Sequence, residues 1–343
     1  MRCFPERLGL SAGLLLIATS LSAHHSPSRF DLTRQVTLEG TVTGFEWRNP
    51  HVYIQVETHD DDGDDVVWNV EATPPSVMSM SGWSARSLRP GDRVTVTGSP
   101  ARDPERRMVL GHSVLTEQGL LLNIPQVTRG FSGAGQDPAS SFVAGDLSGR
   151  WIPQWDLGIA MQFLQPLTRQ SLTERGRVAV ESFDESTGPA TDCISEVVPG
   201  AMVFPLVHNI ELGEEVTLIR SEGYYIERTV LMDVDTHEGA PYTRQGHSIG
   251  HWEGDVLVVD TANFADHRSG NGSGVPSGAQ KHLVERFELS ADRTQLSYTF
   301  WVEDPEYLDE PVTATLDMRY RPDLPAMTPI PCDPEIARRF LED

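Results

Sequence analysis

The chain has 343 residues, with 50 Asp and Glu against 27 Lys and Arg, and a formal net charge of −23 at pH 7. That excess of negative charge excludes nucleic acid and anionic membrane surfaces as partners, because both need a basic face. Lys281 is the single lysine in the sequence.

The first 23 residues, MRCFPERLGLSAGLLLIATSLSA, read as a secretory signal. Arg2 and Arg7 supply a positive n-region, Leu8 to Leu21 an apolar core, and Ser22-Ala23 a small-residue cleavage site. The apolar run is too short to span a membrane comfortably, and nothing later approaches ~18 apolar residues in a row. Cys3 precedes the apolar core, so it is not a lipoprotein anchor. The expectation is a periplasmic or secreted protein whose first mature residue is His24.

The remaining length suits two domains. Between 24 and 118 the chain shows short alternating stretches: VTLEGTVTGFEW (36–47), HVYIQVET (51–58) and VVWNVEA (66–72). PPSVMSMSGW (74–83) offers one short helix, and LRPGDRVTVTGSP (88–100) and RRMVLGHSVL (106–115) supply two more strands. Three strands, a helix and two strands is the order of an OB-like barrel, with another small β-barrel as the alternative. HDDDGDD (59–65) reads as a solvated hairpin tip. A calcium site needs six to eight oxygens from a wrapped loop, and here the next strand follows directly on Asp65.

Residues 119–145 are rich in Gly, Ser and Pro and read as a linker. The second domain, 146–343, carries a short helical pattern in LTERGRVAVESFD (172–184). After Pro199 the chain returns to strands: EVTLIRS, YYIERTVLMDV, HSIGHW, DVLVVDTANF, HLVERFELS, QLSYTFWVED and VTATLDMRYRP. Such a succession predicts an antiparallel meander closed into an up-and-down barrel, so the whole is expected to be all-β. Gly149-Arg150-Trp151 is similar to the G-x-W that opens the first strand of lipocalins, and Gly270 to Gly274 reads as a flexible loop. Without Cys3, two cysteines remain, Cys193 and Cys332. In an oxidising compartment they are expected to pair, closing a loop of roughly 140 residues worth ~4–5 kcal/mol in the chain-entropy model.

Two stretches can carry chemistry. A terminal His24 would offer copper its α-amine and ring Nδ1, and an imidazole from His25 or His51 would complete a three-nitrogen brace. In HSIGHWEGDVLVVD (247–260), a turn at Glu253-Gly254 would set His247 opposite Asp260, with His251 on the same face. A histidine oriented by a carboxylate is the arrangement of a general base, and two histidines on one face can also bind a metal. His282, Glu285 and Arg286 in KHLVERF are candidates for the same wall as ligand-binding groups. There is no Walker loop, no dinucleotide fingerprint and no G-x-S-x-G nucleophile motif.

AHHS (23–26), Phe30-Asp31, VTLEGTVTGFEWRNPH (36–51) and LRPGDRVTVTG (88–98) together resemble a family of small exported bacterial proteins known only as a domain of unknown function. DLSGRW (146–151), LTERGR (172–177), GHSIGHWEGDVLVVDT (246–261), VERF (284–287) and VEDP (302–305) resemble the C-terminal part of longer exported proteins of equally unknown function. The resemblance implies compartment and fold, and it sets His24, His25 and His51 on motif positions. Many relatives read G-R-W-E-G-D where this chain has G-H-W-E-G-D, so His251 is a departure. Three functions stay open. They are a binding protein for a small, apolar ligand and copper, an interaction module of the cell envelope, and an enzyme using His247 and Asp260.

Overall fold

Alternation of buried and exposed side chains, strand after strand, organises this chain into two β-barrels. The computed structural model describes residues 29–338 apart from 50, 61, 125–141, 155–170, 185–186, 205, 224–225, 273, 325 and 328–329. The first 23 residues, read above as a secretory signal, lie outside the described residues, as do His24 and His25. Among the described residues no helix is long and apolar enough to cross a membrane.

The small barrel contains β1 (Val36–Glu46), β2 (Tyr53–His59), β3 (Asp65–Glu71), helix α1 (Pro75–Met80), β4 (Arg93–Pro100) and β5 (Met108–Thr116). β1 is long enough to pair with both β2 and β4, bending where its register shifts between Val42 and Gly44. β3 and β5 then close the ring in parallel, giving the order expected of an OB-like barrel. Val42, Ile54, Val56, Val70, Val96 and Val109 fill its core. A sixth strand, β6 (Leu121–Asn123), adds to β5, so the stretch read as a linker begins as sheet.

The larger barrel has nine strands in chain order: β7 (Gly149–Pro153), β8 (His208–Glu211), β9 (Val216–Ser221), β10 (Ile226–Leu231), β11 (His247–Glu253), β12 (Val256–Ala262), β13 (His282–Leu289), β14 (Gln295–Glu303) and β15 (Val312–Tyr320). Every neighbouring pair is antiparallel except β10 and β11, which run parallel, so the meander is not wholly antiparallel as expected. Helix α2 (Glu174–Glu181) forms inside the predicted helical stretch, with the Thr173 side chain accepting from the Gly176 amide as its N-cap. Two short helices, α3 (Gly200–Val203) and α4 (Pro334–Arg338), complete the elements used below.

Side chains fill the interior of this barrel. Trp151, Phe287, Tyr298 and Phe300 are at most 1% exposed. Among them lies a buried ion pair: Arg228 Nη1 and Nη2 reach Glu285 Oε1 and Oε2 at 3.1 and 2.6 Å. Tyr298 Oη donates to Glu285 Oε1 at 2.8 Å, and Arg228 also donates to the hydroxyls of Ser248 and Thr261. Glu285 therefore points inward and is not on the wall that carries His282. Alternation along β13 sets the two on opposite faces.

Cys193 and Cys332 form the expected disulfide. The C-terminal segment it tethers also touches the small barrel. The Asn49 amide donates to the Pro331 carbonyl at 3.2 Å, Asn49 Nδ2 to the Ile330 carbonyl at 3.2 Å, and Arg48 pairs with Asp333 at 3.4 Å.

Candidate functional site

One end of the larger barrel gathers the starts of β11 and β13 and the ends of β12 and β14. On each strand the pleat sends alternate side chains outward, and at this rim the outward positions are His247, Asp260, His282 and Glu303. The β11–β12 turn is Gly254-Asp255 rather than Glu253-Gly254, so Asp260 lies opposite Ile249, and His247 opposite Ala262. The reason is the glycine. Gly254 has φ +62° and takes the first central position of the turn, where a type II′ hairpin wants it, not the second. The slip preserves parity, so His247 and Asp260 share a face as diagonal neighbours.

The gap between them is bridged by His237, from the 232–246 segment that joins β10 to β11. His237 Nε2 lies 3.0 Å from Asp260 Oδ1, and His237 Nδ1 lies 2.8 Å from His247 Nδ1. On its other side Asp260 Oδ1 is met by His282 Nε2 at 2.9 Å, while His282 Nδ1 stands 3.6 Å from Glu303 Oε1. The Trp301 ring stands edge-on to His282 at 5.7 Å. Asn263, in the left-handed conformation at φ +55°, pins the segment by donating Nδ2 to the carbonyls of His237 and Ala240.

These contacts assign protons. A carboxylate only accepts, so His237 carries hydrogen on Nε2 and His282 carries it on Nε2. The Nδ1–Nδ1 contact has one donor and one acceptor: with the His237 hydrogen on Nε2, its Nδ1 accepts and His247 donates from Nδ1. His247 Nε2 is left as the open lone pair at the end of the relay. Burial, then the nearby His237, lowers the His247 pKa from its usual 6.5. The hydrogen bond to Asp260 raises that of His282, against burial. Burial alone would raise the Asp260 carboxyl, but the bonds from His282 and His237 outweigh it and hold it below the usual range.

Behind the rim, inside the barrel, sits Lys281. It is 1% exposed, donates from Nζ to the carbonyls of Val198 and Gly270 at 2.7 and 2.5 Å, and lies 4.8 Å over the Phe264 ring. Burial pulls its pKa down to about 7, with Asp304, Glu285 and Glu196 acting the other way. Asp304 Oδ2 accepts from Asn271 Nδ2 and the Gly278 amide. The glycine-rich loop expected to be flexible is thus packed: Asn271 is 4% exposed, held at the base of this charged cluster.

The other sequence candidates fall elsewhere. His251 is exposed near the opposite end of β11, 3.4 Å from Glu253, which also receives Arg286 at 2.9 Å. His51 sits at the small barrel with Nδ1 3.0 Å from the Ala72 carbonyl and 3.4 Å from Glu71 Oε1. Among the described residues no group of three or more His, Cys, Asp or Glu is arranged to hold a metal ion. His237 was missed in the sequence, where its only signal is a connection longer than most between two predicted strands.

Residues 12–109 match the model of a family of unknown function, DUF6152. The matched stretch contains the AHHS and W-R-N-P-H motifs and most of the small barrel. Neither the curated proteins nor the solved structures contain a match to the chain.

Proposed function

We propose that the larger barrel carries an acid–base site, with His247 as the base, His282 as the acid and Asp260 as the charge that sets both. The observation that carries this reading is the unbroken series of bonds from His247 through His237 and Asp260 to His282. Its two ends are displaced in opposite directions from a common histidine value, and environments that drive titratable groups apart separate acid from base. The relay contains no hydroxyl or thiol, so it supports proton transfer: activation of water, or removal of a proton beside a carbonyl. The substrate of this reading is a small polar molecule that meets the barrel at its outer rim.

A test that needs no substrate follows the base itself. Diethyl pyrocarbonate acylates neutral imidazole, and peptide mass mapping gives a rate for each histidine. In Asp260→Asn the rate at His247 is expected to fall about tenfold, the scale of one lost charge-assisted bond, while exposed His59 and His251 keep their rates. An unchanged rate at His247 rejects the relay.

The same proposal holds that the protein is exported, the first 23 residues being removed. The Cys193–Cys332 disulfide supports an oxidising compartment. The resemblance of the C-terminal motifs to those of other exported proteins points the same way.

A second site, for copper at the N-terminus, is favoured by one observation. His51 faces the Ala72 carbonyl with Nδ1, which must therefore carry the hydrogen and leave Nε2 free to bind a metal. Mass analysis of the mature N-terminus, together with metal content, tests it. About one copper per chain is expected when His24 comes first, lost in both His24→Ala and His51→Ala. A chain starting at His24 that takes up no copper at micromolar concentration defeats this part of the reading.

A further inference from the structure

The C-terminal segment 330–338 is fastened to both barrels at once. On the small barrel, Asn49 forms a parallel bridge with Cys332. The Asn49 amide donates to the Pro331 carbonyl at 3.2 Å, its carbonyl accepts from the Asp333 amide at 3.4 Å, and its Nδ2 reaches the Ile330 carbonyl. On the larger barrel, Cys332 is bonded to Cys193, at the end of a 3₁₀ turn, Pro189–Asp192. We propose that this segment is a redox-sensitive strap. The Cys193–Cys332 bond holds it on the small barrel, and a dithiol reductant that opens the bond lets the two barrels move independently.

Four features carry the argument. First, the strap meets the small barrel through bonds to one buried residue, Asn49, and through an ion pair between Arg48 and Asp333 that lies at the surface. So few bonds hold an extended segment only while it is already kept in place, because each must offset the entropy of the residues it orders. Second, the tether on the larger barrel is mainly covalent. Arg268 and Arg338 both meet Asp192 beside Cys193, but their side chains are about half exposed, where ion pairs hold weakly. Ala337 of α4 is buried, yet it brings only a methyl group to the contact. Third, Cys193 has φ +54°, a left-handed conformation that a residue other than glycine keeps only where its surroundings impose it. The bond to Cys332 is one of those constraints. Fourth, both cysteines are half-buried rather than sealed in the core, so an attacking thiolate has access to them.

The chemistry is thiol–disulfide exchange. One thiolate of the reductant attacks a sulfur, the Cys193–Cys332 bond breaks, and the reductant's second thiolate resolves the mixed disulfide. Two electrons and two protons pass to the protein, which gains two thiols, and the reductant leaves as its own disulfide. The bond joins positions 139 apart in sequence, so opening it turns the strap into a chain end tied back through β15. Its effective concentration at Asn49 falls accordingly.

Amide hydrogen exchange on the whole mature chain, followed by NMR with and without dithiothreitol, tests this. On reduction the Asn49 and Asp333 amides are expected to exchange about tenfold or more faster. The amides of Val56 and Val259, in the middle of β2 and β12, are expected to keep their protection, and small-angle scattering to give a larger radius of gyration. Reoxidation is expected to restore the slow exchange and the smaller radius. Cys332→Ser is expected to match the reduced parent whether or not dithiothreitol is present. Should that variant fail to fold, the parent with its two internal reference amides still decides the matter. The proposal is overturned if Asn49 and Asp333 stay protected in the reduced parent, or if its radius does not change. It is equally overturned if Val56 or Val259 loses protection with them, since the bond is then a staple of the whole fold, or if reoxidation fails to restore slow exchange.

Discussion

In an Asp260→Asn variant the His282 imidazole is expected to titrate at lower pH than in the parent, and the separation between His282 and His247 to shrink. Asp260 holds His282 upward by a direct hydrogen bond, the largest cause of that shift, and removing the charge leaves burial, which acts downward. Long-range proton–nitrogen NMR spectra report both the pKa and the tautomer of each ring. They should find His247 with hydrogen on Nδ1 in the parent and a mixture in the variant. The pH window follows from the directions. His282 has a raised folded pKa, so its contribution to stability is complete below its usual 6.5 and is lost as pH climbs through the raised value. His247 has a lowered one, so its neutral form contributes above 6.5 and the contribution is lost as pH falls through the lowered value. Asp260 likewise contributes above its usual 3.8 and loses that contribution as pH falls through its depressed value. Charged acid, neutral base and ionised aspartate therefore coexist between the His247 and His282 values, and that interval is where activity is expected to peak. Equal histidine values in the parent, or no response to Asp260→Asn, would reject the assignment of acid and base.

Glu285→Ala is expected to destabilise the protein by about 3–5 kcal/mol, read as a lowered denaturant midpoint with little change in slope. Arg228 and Glu285 are 2% and 0% exposed, so removing the carboxylate strands a guanidinium inside the barrel. Tyr298 loses its acceptor in the same step. The double replacement Arg228→Met, Glu285→Leu is expected to recover most of the loss, because two apolar groups of similar size leave no buried charge unpaired. If the single and double variants lose the same amount, the pair contributes by packing rather than by charge.

The two barrels were legible because alternation is an almost direct report of a half-buried strand. Each of the seven strands foreseen in the larger barrel forms, and the short helix before β4 falls where Pro75 opens a turn. β8 was not foreseen, since HNIE is only four residues long and shows little periodicity. The face shared by His247 and Asp260 was legible even though the register was one turn residue off, because parity survives such a slip. His237 was not, since a residue outside any periodic segment has no face until the segment is docked. Glu285 and His282 differ by three positions, and only the pleat of β13 decides that one enters the core while the other reaches the rim. Gly274 shows the opposite limit. Its composition suggested freedom, whereas here glycine is what tight packing on Phe183 requires.

The strand count has a geometric consequence. A ring whose members alternate up and down closes on itself only with an even number. Nine strands leave one pair of neighbours pointing the same way, and that pair is β10 and β11. Between those two strands the chain has to travel back along the barrel wall before it can begin again. Residues 232–246 are that return passage, and His237 rides on it. An eight-stranded relative made by deleting one strand would close with a tight hairpin at this point. It would keep His247, Asp260 and His282 on its rim, with His282 still bonded to Asp260 and nothing to join His247 to them.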